Sequence, residues 1–369
     1  MAETPQAGPE SSLPAPAPED PSAESEGGAG RQTCRHGTPR GSGDPRHPSP
    51  RRLARFAEAG VALALLLLML AGTLATRHPP SGASDFLTVD NLLSVALAFS
   101  WIAIMAVGQM LVIISGGIDL SVGATLALSG TLAAVLLTRS AAPWPVAVVA
   151  ALAAGATVGV VNALLIVRAG LPPFIATLGM MCIARAGALR LSQGHPISGL
   201  PEAFKLAAGS GHLLGVRVPI LVMVAVMLLG AWLLSQTRWG TYAYAIGGNE
   251  EAARFAGVRV PRIKVLLYAL CGLCCGIAAM VMTASVGVAE PTAGRGWELD
   301  VIAAAVIGGG SLSGGYGSAL GALLGAAMMG VIRNLLVLLG VEHYWHDGVI
   351  GAVIILAVAL DQLRKRRLR

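Results

Sequence analysis

Long apolar runs alternate along the chain with short polar connections. About ten reach or approach membrane length, at 56–76, 92–114, 122–138, 144–167, 172–190, 219–236, 263–286, 298–309, 317–340 and 346–360. A helix needs about 20 apolar residues to cross a bilayer. The pattern predicts an all-α multi-pass membrane protein of eight to ten transmembrane helices. The fifth run contains Arg185 and Arg190, and the eighth is short. Eight spans with two re-entrant segments fit the same pattern.

The apolar pattern breaks most sharply at Gly116-Gly117-Ile118-Asp119-Leu120-Ser121-Val122-Gly123. Paired glycines weaken a helix interior by roughly 1 kcal/mol each relative to Ala. An aspartate between apolar runs must face protein or water. This stretch therefore predicts a helical hairpin whose irregular tip is buried in protein or lines a cavity. The same GGxxLSxG spacing returns in Gly308-Gly309-Gly310-Ser311-Leu312-Ser313-Gly314-Gly315, again between two apolar runs. Paired glycine-interrupted segments in two parts of a transporter point to a central site. We expect Gly116, Gly117, Asp119, Ser121 and Gly123 to form a structural joint, with Gly308, Gly309, Gly310, Ser311 and Ser313 as its counterpart.

Composition supports the membrane reading. The chain of 369 residues is 54% hydrophobic and 12% charged, with 47 glycines and a mean hydropathy of +0.69. A soluble domain carries about 25% charged residues. Residues 1–50, rich in Pro, Ser, Gly and Glu, read as a disordered cytoplasmic tail and not as a secretory signal. Residues 51–369 read as the membrane domain.

The net charge of +6 collects at the ends and in one loop. Arg51, Arg52 and Arg55 precede the first run; Arg364, Lys365, Arg366, Arg367 and Arg369 follow the last. The loop 237–262 and its flank hold Arg238, Arg254, Arg259, Arg262 and Lys264. Ten spans starting inside place all three clusters in the cytoplasm. These charges orient the chain and do not form a nucleic-acid patch.

Catalytic signals are lacking. The chain has no phosphate-binding loop of the G-x-x-x-x-G-K-[ST] type, no HExxH and no GxSxG; nothing points to an enzyme or a cofactor. Cys271-x-x-Cys274 has redox spacing but lies in an apolar run with no His or second pair beside it, and reads as packing. No metal site is expected.

The loop 237–262 carries its own small helix. Asn249 is a good N-cap, Glu250 and Glu251 occupy the first turn, and Glu250–Arg254 is an i,i+4 pair. Gly257 and Pro261 stop the helix. Ala252, Ala253 and Ala256 allow another surface to approach closely.

Glu251-Ala252-Ala253 followed by Gly257 resembles the EAA-x-x-x-G loop by which ABC-importer permeases contact their ATPase subunit. Leu111–Gly123, Pro173–Gly179, Gly248–Arg254 and Ile307–Leu312 together resemble the permeases of ribose/xylose/arabinose/galactose-type importers. The resemblance covers about residues 55–365. It implies an inner-membrane permease with both termini cytoplasmic, a second permease copy or paralogue, two cytoplasmic ATPase subunits and an extracytoplasmic sugar-binding protein. Gly248, Asn249, Glu250, Glu251, Ala252, Ala253, Arg254 and Gly257 would then form the ATPase-coupling loop. A polyol or sugar-like signalling compound is an alternative cargo. An ion-coupled secondary transporter is the rival class, with Asp119 and Asp300 as coupling carboxylates.

Polar and aromatic residues at membrane depth are pathway candidates: Trp101, Gln109, Asn162, Phe174, Arg185, Trp297, Glu298 and Asp300, with Arg333 and Asn334 beside them. Trp101, Phe174 and Trp297 are candidates to stack on a sugar ring. Arg185 is expected to pair with Glu298 or Asp300.

Overall fold

The computed structural model describes residues 50–76, 84–213, 215–342 and, beyond them, 344–346, 348–353, 355–356 and 359. The expected tail lies outside them apart from Pro50, as do Cys34 and the basic residues from Arg364 onward.

Where they are described, the apolar runs are mainly helical. Helices α1 (Pro50–Ala75), α2 (Val89–Ile114), α3 (Val122–Thr138), α4 (Trp144–Val167) and α5 (Pro173–Ser192) come first. A connection follows, made of α6 (Glu202–Lys205), a π-helical turn at Leu206–Ser210 and the antiparallel strands β1 (His212–Leu213) and β2 (Val216–Arg217). Helices α7 (Val218–Gln236), α8 (Arg238–Gly248), α9 (Glu250–Phe255), α10 (Val260–Val286), α11 (Trp297–Ile307) and α12 (Ala319–Leu338) complete the set. The tenth run, 346–360, is helical where described. Among the described residues seven helices are long and apolar enough to span a membrane: α1, α2, α4, α5, α7, α10 and α12. Helix α3, at 17 residues, and α11, at 11, are shorter.

Local chemistry sets the boundaries. Proline occupies the first turn of α4, α5, α7 and α10, where its missing N–H has no intrahelical partner to lose. The Thr88 side chain caps α2 and that of Ser318 caps α12. Gln193 and Gly287, both left-handed, end α5 and α10.

Helices α2 and α10 form the buried centre, whereas α1 shows Leu63, Leu66, Leu67, Leu70 and Leu74 on its exposed side. The tightest packing joins α4 to α10. A methyl group on Gly155 would overlap the carbonyl of Gly272, and one on Gly272 would overlap the carbonyl of Gly155. The motif is GxxxG on both helices, Gly155/Gly159 and Gly272/Gly276, so small residues bring the backbones together. Cys271 and Cys274 pack against Gly108 of α2 as buried, free thiols.

The run at 298–309 is a half-helix, α11, reached by a re-entrant loop. Trp297, the first residue of α11, stacks on Trp101, which lies at the middle of α2. Residues 287–296 therefore turn back from the end of α10 into the bundle. Gly294 meets Gly123 near the start of α3. Gly123 lies seven residues, about 10 Å, deeper than Gly130, which packs against Thr283 near the end of α10.

Candidate functional site

Gly116–Gly123 connects α2 to α3 as a buried polar joint. Gly116 takes φ +79°, a left-handed turn that glycine adopts without penalty. Asp119 is 2% exposed and Ser121 fully buried. The Asp119 carboxylate accepts from the Ser121 N–H at 2.8 Å and the Ser121 hydroxyl at 2.6 Å. The Asn162 amide, on α4, donates to both carboxylate oxygens at 3.3–3.4 Å and to Ser121 Oγ at 2.9 Å. Gln109, on α2, lies against the Asp119 backbone; with its amide turned to suit both neighbours, its oxygen accepts from the N–H at 3.1 Å and its nitrogen donates to the carbonyl at 3.2 Å. Thr177 of α5 and Tyr268 of α10 reach the carbonyl of Ile118 at 3.4 and 3.5 Å. Side chains from four helices thus supply the bonds that the interrupted backbone lacks.

The second glycine motif repeats this geometry in part. Ser311 Oγ lies 3.0 Å from Ser313 Oγ, the same two-residue offset as Asp119 and Ser121. The two motifs also meet. The Gly315 N–H donates to the Ile114 carbonyl at 2.9 Å, and a methyl group on Gly314 would press on Gly116 and Gly247. Gly247 belongs to α8, whose Tyr244 donates to the Gly317 carbonyl at 2.7 Å. The end of the loop that carries α8 and α9 therefore sits directly on the junction of both motifs.

Helix α9 forms at Glu250–Phe255, after the expected N-cap Asn249 and before Gly257. The Asn249 side chain accepts from the Ala252 N–H at 2.9 Å. Glu250 bonds Arg254 at 3.4 Å and Lys264 of α10 at 2.7 Å, which ties the small helix to the bundle. Gly257, at φ +86°, turns the chain away. Phe255 is 91% exposed while Ala253 is buried beneath it.

The pathway candidates separate into distinct places. Gln109 and Asn162 are fully buried against the joint. Trp101 and Trp297 stack on each other, with centroids 6.4 Å apart and planes at 12°. Phe174 stands exposed at the start of α5. Among the described residues the expected ion pair of Arg185 with Glu298 or Asp300 is not formed. Asp300 pairs with Arg333 of α12 at 2.6 Å. Arg185 donates to the carbonyls of Pro291 and Ala293, at 2.9 and 2.7 Å, anchoring the re-entrant loop. A half-helix turned inward brings Asp300 onto α12 instead of leaving it at an outer end. Asn334 and Asn91 exchange amide hydrogen bonds of 2.8 and 3.1 Å between α12 and α2.

Three residues of this region carry no distinctive signal in the sequence: Tyr268, Gly294 and Arg295. Tyr268 lies in a long apolar run. Gly294 and Arg295 lie in Thr292-Ala293-Gly294-Arg295-Gly296, which reads as an ordinary outer loop. The one available signal was the shortness of the following run.

Residues 91–358 match the family model described as "Branched-chain amino acid transport system / permease component". The ribose import permease of Escherichia coli (strain K12) is 42% identical over 304 residues, covering 82% of this chain and 93% of that protein. The ribose import permease of Bacillus subtilis (strain 168) is 42% identical over 279 residues, 75% of this chain and 86% of that protein. The fructose import permease of Rhizobium meliloti is 35% identical over 318 residues, 84% and 88% respectively. With its helical spans, buried joint and capped loop helix, the chain belongs to this family of multi-pass transport-system permeases, transport components and not enzymes.

Proposed function

We propose that this chain is the membrane subunit of an ATP-driven importer of a monosaccharide, with ribose the first candidate. The observation that carries the reading is α9, a separately capped helix that presents Phe255 next to the junction of the two glycine motifs. A secondary transporter has no need of a docking helix. Its coupling carboxylates would need freedom to bind and release an ion, whereas Asp119 is surrounded by donors and Asp300 is held by Arg333. The relatives named for ribose, fructose and other sugars favour a sugar over an amino acid as cargo.

In this reading the α8/α9 end is cytoplasmic, both termini lie on that side, and the protein resides in the inner membrane. Two ATPase subunits receive α9 and its symmetry mate, and an extracytoplasmic sugar-binding protein delivers the cargo at the opposite end. A second permease copy or paralogue faces α5. That helix has the lowest hydropathy of the seven long spans and exposes Phe174, Leu178, Gly179, Cys182 and Arg190, a mixed surface better suited to a partner and a passage than to lipid.

The coupling element is tested by a cysteine at Phe255. It should cross-link to the ATPase subunit with a yield that changes on ATP binding; absence of any nucleotide-sensitive product would sink the assignment. Ala253 is the wrong position for this test, because it is buried under the helix.

A further inference from the structure

We propose that Arg295 and Glu298, carried halfway into the bundle by the re-entrant loop, face the translocation passage and contact the sugar as it crosses. The inference rests on the importer reading above and names the residues its passage would use.

Depth comes first. Arg295 is two residues before Trp297, which stacks at the middle of α2, and it follows Gly294, which touches Gly123 of the joint. Both measures place it near mid-span, about 20 Å from either end of a helix the length of α10. Yet Arg295 is exposed, between Gly294 and Gly296, both left-handed. Among the described residues neither Arg295 nor Glu298 takes part in an ion pair. A guanidinium exposed at that depth cannot face hydrocarbon; such residues face a water-filled cavity or the bundle interior.

The surroundings are built. Arg185 fixes the loop through the carbonyls of Pro291 and Ala293 and lies within electrostatic range of both Arg295 and Glu298. The Glu298 carboxylate stands against Gly123, beside the start of α3. Arg295 offers a fork of N–H donors and Glu298, three residues on, a carboxylate acceptor; together they supply the two functions that a sugar hydroxyl, both donor and acceptor, can answer. The Trp101–Trp297 stack adds an apolar floor beside it.

The test uses cells producing the full chain with its ATPase subunit and binding protein, and labelled D-ribose as probe. In a background with Cys34→Ala and Cys182→Ala, a cysteine replacing Arg295 should react with a charged, membrane-impermeant methanethiosulfonate, and saturating D-ribose should slow the reaction. A cysteine replacing Leu66 on the lipid side of α1 should stay unreactive. Arg295→Ala should lower ribose uptake about tenfold, the size of one lost charge-assisted hydrogen bond, with the amount of assembled complex unchanged. Arg295→Lys should restore much of it, and is the variant read if Arg295→Ala fails to assemble. Wild-type uptake by Arg295→Ala, or a position-295 cysteine that resists the charged reagent while reacting with lipid-soluble N-ethylmaleimide, overturns the proposal. If the unmodified complex takes up no ribose, ribose fails as the cargo, while labelling at position 295 still reports whether the residue faces water.

Discussion

Asp119 shows how a carboxylate is kept inside an apolar bundle. Every bond it receives comes from a group ordered by another helix or by its own turn, and an unmade one costs about 1–3 kcal/mol. Asn162→Ala removes donors to both carboxylate oxygens and to Ser121. It is expected to destabilise the protein by about that amount, read as a lower thermal midpoint in detergent. Asp119→Asn keeps the acceptor that Ser121 uses, so assembly should persist while transport per ATP hydrolysed falls. A changed sugar preference would instead make Asp119 a ligand. The carboxylate and its glycines are legible as a joint in the sequence, because both residue types break a helix. The role of Gln109 and Asn162 is not. A continuous apolar run has no polar face to reveal which neighbour a single amide addresses, so both read equally well as pathway residues.

At the scale of elements, α9 and α11 contrast. The loop helix announces itself through Asn249, Glu250, Arg254 and Gly257, because capping and i,i+4 pairing are local and written within one turn. Asn249→Ala should cost about 1 kcal/mol of local stability, seen as faster amide exchange confined to residues 250–255. Phe255→Ala should leave the bundle intact and weaken ATPase binding by about 2 kcal/mol, roughly thirtyfold in Kd, measured by titrating the purified subunits. Helix α11 is legible as a short apolar run, but its inward placement is invisible by such signals. Its loop has the glycine and threonine content of any connection, and only tertiary contacts, Gly294 on Gly123 and Trp297 on Trp101, fold it inward. The Asp300–Arg333 pair then locks it to α12. Either single neutralisation should reduce assembled protein, and the exchanged pair Asp300→Arg with Arg333→Asp should recover part of it; no recovery would show that the two do not act as partners.

At the scale of the molecule, the repeated glycine motif, nearly 200 residues apart in the chain, becomes one junction. Ile114, Gly116, Gly247, Gly314 and Gly315 meet there, so a push on α8 and α9 reaches both interrupted segments at once. The repeat is legible in the sequence; the contact is not, since spacing says nothing of which ends of two hairpins face each other. The same geometry makes the proposed orientation testable: single cysteines in 250–257 and in 195–213 should be labelled by an impermeant reagent from opposite sides of the membrane. The central claim is that this permease works under ATP-driven coupling through α9. Its most direct measurement is ribose uptake into sealed vesicles holding the permease, its ATPase subunit and the binding protein, with and without ionophores. Uptake should require ATP and persist when ion gradients are collapsed. Uptake that proceeds without ATP and vanishes with the gradient would contradict the claim.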